Sequence, residues 1–154
     1  MVDGGYEVPR VPASAGALVF DVRGRLLVLK PTYKGGWTVP GGQMEADGET
    51  PWETCRREAR EECGLELRHG TLVCVDFLRP RPARPGGLRL LFHCGTVDDG
   101  ALEAIVVQPE EIAEHRLVEP AAALELLSGP VRRRVGAALG ATGLVYLEDG
   151  RPPS

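Results

Sequence analysis

Short apolar runs separated by clusters of Gly, Pro and charge give this chain its pattern, and the runs predict its elements. Ala17-Leu18-Val19-Phe20 and Leu26 to Leu29 flank Asp21-Val22-Arg23-Gly24. Two apolar runs around a Gly-containing turn predict a β-hairpin. Leu72 to Leu78 and Leu88 to Val97 read as two further strands. The Pro- and Arg-rich segment between them, Arg79 to Gly87, reads as a surface loop. A turn at Asp98-Asp99-Gly100 leads through a mixed stretch to His115–Val118. Helical spacing then covers Pro120–Leu127 and Val131–Leu139, and Gly143–Leu147 suits a last short strand.

The most complete signal lies between these runs. From Pro31 to Glu49 the composition turns to Gly, Pro and polar residues, predicting a long loop of the kind that carries function. Thr50 then stands as an N-cap, with Pro51 at the first helical position and Glu53 three residues after the cap, which together make a capping box. Gly64 supplies the stop. Hairpin-linked strands with interspersed helices predict an α/β fold, a mixed sheet covered by helices. Residues 1–12, rich in Gly and Pro, read as a flexible N-terminal arm, 13–150 as a single domain and 151–154 as a C-terminal tail.

Composition narrows the partners. The chain has 154 residues, 43% hydrophobic and 26% charged, a balance that suits one globular domain with a real core. A net charge of -4 gives no general attraction to nucleic acid or an anionic membrane. Neither partner is expected. No apolar run approaches the ~20 residues of a membrane span, so a cytoplasmic location is expected. Cys55, Cys63, Cys74 and Cys94 show no CxxC pair and no zinc spacing, and read as reduced, buried thiols.

On the helix that starts at Thr50, Glu58, Glu61 and Glu62 fall within roughly a 100-degree arc. Trp52, Cys55, Ala59 and Cys63 form the adjoining apolar stripe, which would pack on the sheet and hold the acidic edge in place. Three like charges at this spacing describe either a solvated acidic face or a site for a hard cation. All-carboxylate ligation suits Mg2+, Mn2+ or Ca2+ better than zinc. The entry Trp37-Thr38-Val39-Pro40-Gly41-Gly42 places two glycines where backbone can pass close to a ligand.

Taken with Glu45, Glu49 and Arg57-Glu58-Ala59-Arg60-Glu61-Glu62-Cys63-Gly64-Leu65, this segment resembles the Nudix box, G-x5-E-x7-R-E-U-x-E-E-x-G-U with U a bulky apolar residue. Seven residues separate Glu49 from Arg57, and the Arg-Glu, Glu-Glu, Gly and Leu positions all stand in register. There are two departures: Ala59 is small at a bulky position, and six residues instead of five separate Gly42 from Glu49. The extra residue lengthens a loop, where insertion is tolerated. It leaves the Gly42 carbonyl's place in a metal shell open.

The resemblance implies a Nudix-type α/β/α sandwich with a mixed sheet. It also implies Mg2+-dependent hydrolysis of a nucleoside diphosphate linked to another group, with Mn2+ as a substitute metal. Glu58, Glu61 and Glu62 would be metal ligands, joined by the Gly42 carbonyl, and Glu61 or Glu62 would position or deprotonate the attacking water. Arg57 would pair with Glu49 to hold the loop on the helix, the alternative being a surface salt bridge worth at most about 1 kcal/mol.

A general base from outside the box would be Glu110, Glu111 or Glu114. Arg79, Arg81 and Arg89 would supply positive charge to phosphates, and Trp37 would either stack on a base or pack beneath the loop. Arg132-Arg133-Arg134 reads as a solvated helix face. A homodimer is expected by resemblance. Two other activities share the fold: binding of a nucleotide or metabolite without cleavage, and isoprenoid diphosphate isomerisation, which in that branch relies on a catalytic Cys.

Overall fold

The computed structural model describes residues 2–3 and 6–154. Val2–Asp3 (β1) pairs antiparallel with Tyr6–Glu7 (β2), so the expected arm contains a short ladder. Met1, Gly4 and Gly5 of that arm lie outside the described residues.

Seven strands form the main sheet. In chain order they are β3 (Ala13–Phe20), β4 (Leu26–Pro31), β5 (Gly41–Gln43), β6 (Thr71–Leu78), β7 (Gly87–Thr96), β8 (Ile112–Val118) and β9 (Val145–Glu148). The lateral order is β8-β4-β3-β7-β6-β9, with β5 paired to the first half of β3. The β3–β7 and β6–β9 pairs are parallel and the other pairings antiparallel, which makes the sheet mixed. The expected hairpin is β3–β4, closed by Asp21, whose carboxylate accepts from the backbone N–H groups of Arg23 and Arg25.

Helix α1 (Pro51–Cys63) covers one face; α3 (Pro120–Leu126) and α4 (Gly129–Gly140) cover the other. This double cover explains why the strands read as continuous apolar runs. In β4, Leu27 and Leu29 pack toward α1, while Leu26 and Val28 pack toward α3 and α4, and all four are fully buried. The stripe expected on α1 does pack on the sheet: Cys55, Ala59 and Cys63 are completely buried, with Trp52 against Phe92.

Two sequence expectations change. The Asp98-Asp99-Gly100 turn is the start of a short helix, α2 (Asp99–Glu103), because the Asp98 carboxylate accepts from the Ala101 N–H and caps it. The long loop over 31–49 is pinned along its length: Leu29 bridges Thr38, Thr32 donates to the Glu111 carbonyl, and Gly41–Gln43 joins the sheet as β5. No described helix is long and apolar enough to cross a membrane.

Candidate active site

The start of α1 follows the sequence closely. Thr50 Oγ1 accepts from the Glu53 N–H at 3.1 Å, and Glu53 returns an acceptor to the Thr50 N–H at 2.8 Å. Gly64, in the left-handed region at φ 70°, closes the helix. Between these ends, Glu58 and Glu62 lie against Gly42 and Gly41 of the 31–49 loop, and Glu61 is exposed beside Arg57.

Glu49 and Arg57 join loop to helix. Arg57 donates Nε to Glu49 Oε2 at 2.6 Å and Nη2 to Glu49 Oε1 at 3.0 Å, a bidentate fork. Thr54 Oγ1 and the Glu45 N–H also donate to Glu49 Oε1. The fork holds the Glu49 carboxyl down to about 2, Arg57 being the largest cause and Thr54 the next. Arg57 reaches further: Nη1 contacts Glu58 at 2.9 Å and Glu61 at 3.3 Å, and Nη2 donates to the Gln43 carbonyl.

Glu62 is the buried member, 5% exposed. Its Oε1 accepts from the Gly41 N–H at 2.9 Å. Burial pushes its pKa up to about 8; the Gly41 bond opposes this, and the charges of Glu58, Glu111 and Glu61 add to it. Glu58 is also raised, because burial outweighs its contact with Arg57.

The two glycines are required by close approach. A Cβ on Gly41 would stand 2.5 Å from the Ala15 carbonyl oxygen, and one on Gly42 2.5 Å from the Glu58 carboxyl. The Gly42 backbone therefore lies against Glu58 despite the extra residue. The added length is taken up over 44–48, where the chain turns and Gly48 has φ 91°.

These are oxygen donors only, and the pKa values of two of them are raised chiefly by burial and further by neighbouring carboxylates, a penalty on the charged form that a divalent cation would relieve. Among the described residues no three Asp, Glu, His or Cys side chains are grouped so that together they could hold a metal ion. Magnesium is commonly held by one or two carboxylates plus substrate oxygens, so the donor set fits that open kind of site.

Of the three glutamates considered outside the box, only Glu111 acts on the cluster, contributing to the raised pKa of both Glu58 and Glu62. Glu110 is exposed and offers its carbonyl to Thr32 Oγ1, and Glu114 pairs with Arg116 on β8. Trp37 is packed beneath the loop, 9% exposed, with the Arg116 guanidinium 4.7 Å from its ring centroid, so its stacking role gives way to packing.

Arg79 and Arg81 both engage Asp149, at 3.9 and 3.1 Å, and Arg89 is half-buried. The solvated Arg132–Arg134 face needs correction. Arg134 is buried and donates Nε to Asp76 Oδ2 at 2.7 Å, because α4 lays it over a charge inside β6. A lone Asp between Val75 and Phe77 in an apolar strand was the available signal for such a partner.

The four cysteines are buried and free. Burial lifts Cys74 to about 11 and Cys63 to about 12, and Cys55 is raised further by Cys94 and by burial. None of these three is poised as a thiolate.

A helix-borne carboxylate cluster braced by an Arg–Glu fork, on a mixed sheet between helices, defines the class of fold seen in Nudix proteins. The NUDIX domain family model matches residues 10–139, and the chain belongs to that family. It is 35% identical over 107 residues to an isopentenyl-diphosphate Delta-isomerase of Clavibacter michiganensis, covering 66% of this chain and 55% of that protein. It is 33% identical over 112 residues to a MutT-like protein of Streptomyces ambofaciens, covering 69% of this chain and 70% of that one. The NUDIX domain of Shewanella oneidensis NrtR, solved with ADP ribose, superposes with a TM-score of 0.70 at 16% identity, covering 86% of this chain and 88% of that one. The chain spans just over half the length of the Clavibacter isomerases it matches.

Proposed function

We propose that this protein is a Mg2+-dependent pyrophosphohydrolase that cleaves the diphosphate of a nucleoside diphosphate linked to another group, with Mn2+ able to replace Mg2+. The observation that carries this reading is the seating of the Gly41-Gly42 backbone on Glu62 and Glu58, with Glu62 and both glycines in the lining of one cleft.

Glu58, Glu61 and Glu62 would hold the metal. Bound there, a divalent ion would supply charge neutralisation for diphosphate oxygens and a more acidic water for attack on phosphorus. Arg57 is a positioning residue: its fork to Glu49 fixes the loop, and its Nη1 aims Glu58 and Glu61. Glu62 is anchored through one oxygen, and the other, which has no hydrogen-bond partner among the described residues, would orient water or accept its proton. Glu111 is the candidate for a base outside the box.

Purified protein with Mg2+ and a panel of nucleotide sugars, nucleoside triphosphates, dinucleoside polyphosphates and ADP-ribose should release phosphate-bearing products. Glu62→Gln should lower kcat by about 10²- to 10⁴-fold. No turnover on the whole panel, or turnover indifferent to Glu62→Gln, overturns the reading.

A second reading, binding without cleavage, draws on the likeness to a NUDIX domain solved with ADP ribose. Tight binding with no product, unchanged by Mg2+ or Mn2+, would favour it. Isoprenoid isomerisation is set aside because all four cysteines are buried.

A further inference from the structure

Beside the glutamate cleft lies a larger cavity of about 860 Å³, between the 79–87 loop, α4 and the 149–151 turn. Its lining holds eight of the chain's eighteen Lys and Arg residues and a single carboxylate, Asp149, although the whole chain is net negative. Arg79 and Arg81 share Asp149, and Arg134 is matched by Asp76. Among the described residues the other five, Lys34, Arg84, Arg89, Arg133 and Arg151, make no ion pair. They converge on one hollow from four separate parts of the chain, which a solvated charge run would not do.

The cavity and the glutamate cleft share part of their lining. The cleft, a hollow of about 210 Å³, is lined by Gly41, Gly42 and Glu62 and also by Lys34, Arg89 and Arg134. Those same three cations also line the large cavity. Arg89, shared by both linings, is half-buried and among the described residues has only the Leu88 carbonyl as side-chain hydrogen-bond partner. Burial and the neighbouring Arg134 charge lower its pKa, so an anion placed there would relieve repulsion as well as gain a fork.

We infer that the cavity receives a phosphate monoester carried on the substrate beyond the scissile diphosphate, so that this protein prefers diphosphate-linked molecules bearing a further, terminal phosphate. The inference rests on the hydrolase reading for its chemistry. Water adds to one phosphorus, the P–O–P bridge breaks, and each half leaves as a phosphate with one proton released. The terminal phosphate is untouched and serves to bind.

Matched pairs test this: coenzyme A against dephospho-coenzyme A, and NADP+ against NAD+, each with Mg2+ and product identification. The phosphorylated member of at least one pair should have kcat/KM about tenfold higher or more, expressed in KM, since a fork to a charged group is worth at least that ratio. In the Arg84→Ala/Arg133→Ala double variant, both positions being exposed, the ratio should fall to near one. Arg23→Ala, which removes a cation outside the cavity, should keep it. A ratio near one in the parent protein, or one that survives the double variant, overturns the inference while leaving hydrolysis intact.

Calorimetry without divalent metal separates the two readings. Coenzyme A should bind the parent protein about tenfold more tightly than dephospho-coenzyme A, and the double variant should lose the difference. That result without turnover would sustain the cavity and sink the hydrolase. Tighter binding of a short RNA with a 5′-hydroxyl than of coenzyme A would overturn the assignment to a small phosphorylated molecule.

Discussion

Two arginines on two helices show what local and long-range pairing can each accomplish. Arg57, on α1, touches four carboxylates, Glu45, Glu49, Glu58 and Glu61, all within twelve residues of it in sequence. Arg134, on α4, touches one, Asp76, which lies 58 residues away and is fully buried. The side-chain exposures are similar, 19% and 11%. The difference is redundancy: Arg57 can lose a partner and keep three, whereas Arg134 has no substitute. The first pairing organises a site from one segment of chain; the second ties α4 to β6 and forms a wall of the cationic cavity.

The largest effect should come from breaking the pair that has no spare partner. Asp76→Ala leaves Arg134 without its carboxylate and the Gly150 N–H without its acceptor. It should cost about 3–5 kcal/mol in denaturant unfolding, because the penalty is that of a stranded buried charge. Replacing both members, Asp76→Leu with Arg134→Met, should recover most of that loss. Glu49→Gln should shift the unfolding midpoint far less. If Glu49→Gln proved the more damaging, redundancy would not be what separates the two arginines.

How much of this was legible follows from the same contrast. Thr50, Pro51, Glu53 and Gly64 named the ends of α1, and Glu49, Arg57 and the glutamates named the box, because every partner lies within one turn-and-helix segment. The apolar runs gave the strands for the same local reason. Asp76 with Arg134, and the hollow where Arg84, Arg133 and Lys34 meet, exist only after β6, α4 and the 31–49 loop are brought together by the sheet. No spacing rule reports that. Trp37 shows the converse: its motif was visible, but whether it stacked or packed depended on Arg116 and Leu127, which come from distant elements.

Within the box, two carboxylates should respond to pH with opposite signs. Glu62 has its folded pKa raised from 4.5 to about 8, so the folded state holds the extra proton across that window. Its contribution to metal-free stability is complete below about 4.5 and is lost as pH rises through 8. Glu49, held at about 2, contributes above its ordinary value and loses that contribution as pH falls toward 2. Melting temperatures of metal-free protein should therefore fall on the alkaline side, and Glu62→Gln should flatten that limb. Mg2+, which requires the ionised carboxylate, should raise the melting temperature most above pH 8. Parallel alkaline limbs in the parent and Glu62→Gln proteins would mean Glu62 is ionised without penalty.

A smaller effect should separate the roles of the two glycines. At Gly42 the atoms that a new Cβ meets belong to the end of the Glu58 side chain, which can swing away. Gly42→Ala should therefore keep the fold and raise the half-saturating Mg2+ concentration about tenfold, the equivalent of one weakened ligand. At Gly41 the obstacle is the backbone of β3, which cannot swing, so Gly41→Ala should lower the melting temperature more than Gly42→Ala does. An unchanged Mg2+ requirement in Gly42→Ala would remove Glu58 from the metal set.

The smallest predicted change compares the starts of the two helices that carry these arginines. Thr50 caps α1 with a side-chain bond to Glu53, and the box is completed in return. Ser128 stands at the same position of α4 but makes no such bond; Pro130 in the first turn and the packing of Val135 and Ala138 hold that helix instead. Thr50→Ala should cost about 1 kcal/mol. Ser128→Ala, having no cap to lose, should leave the unfolding midpoint nearly unchanged. Because Glu58, Glu61 and Glu62 lie two turns and more beyond Thr50, its loss should lower stability while kcat/KM at moderate temperature stays the same. A drop in kcat/KM with Thr50→Ala would mean that the first turn of α1 transmits to the site, and that the box depends on its helix start as much as on its arginine.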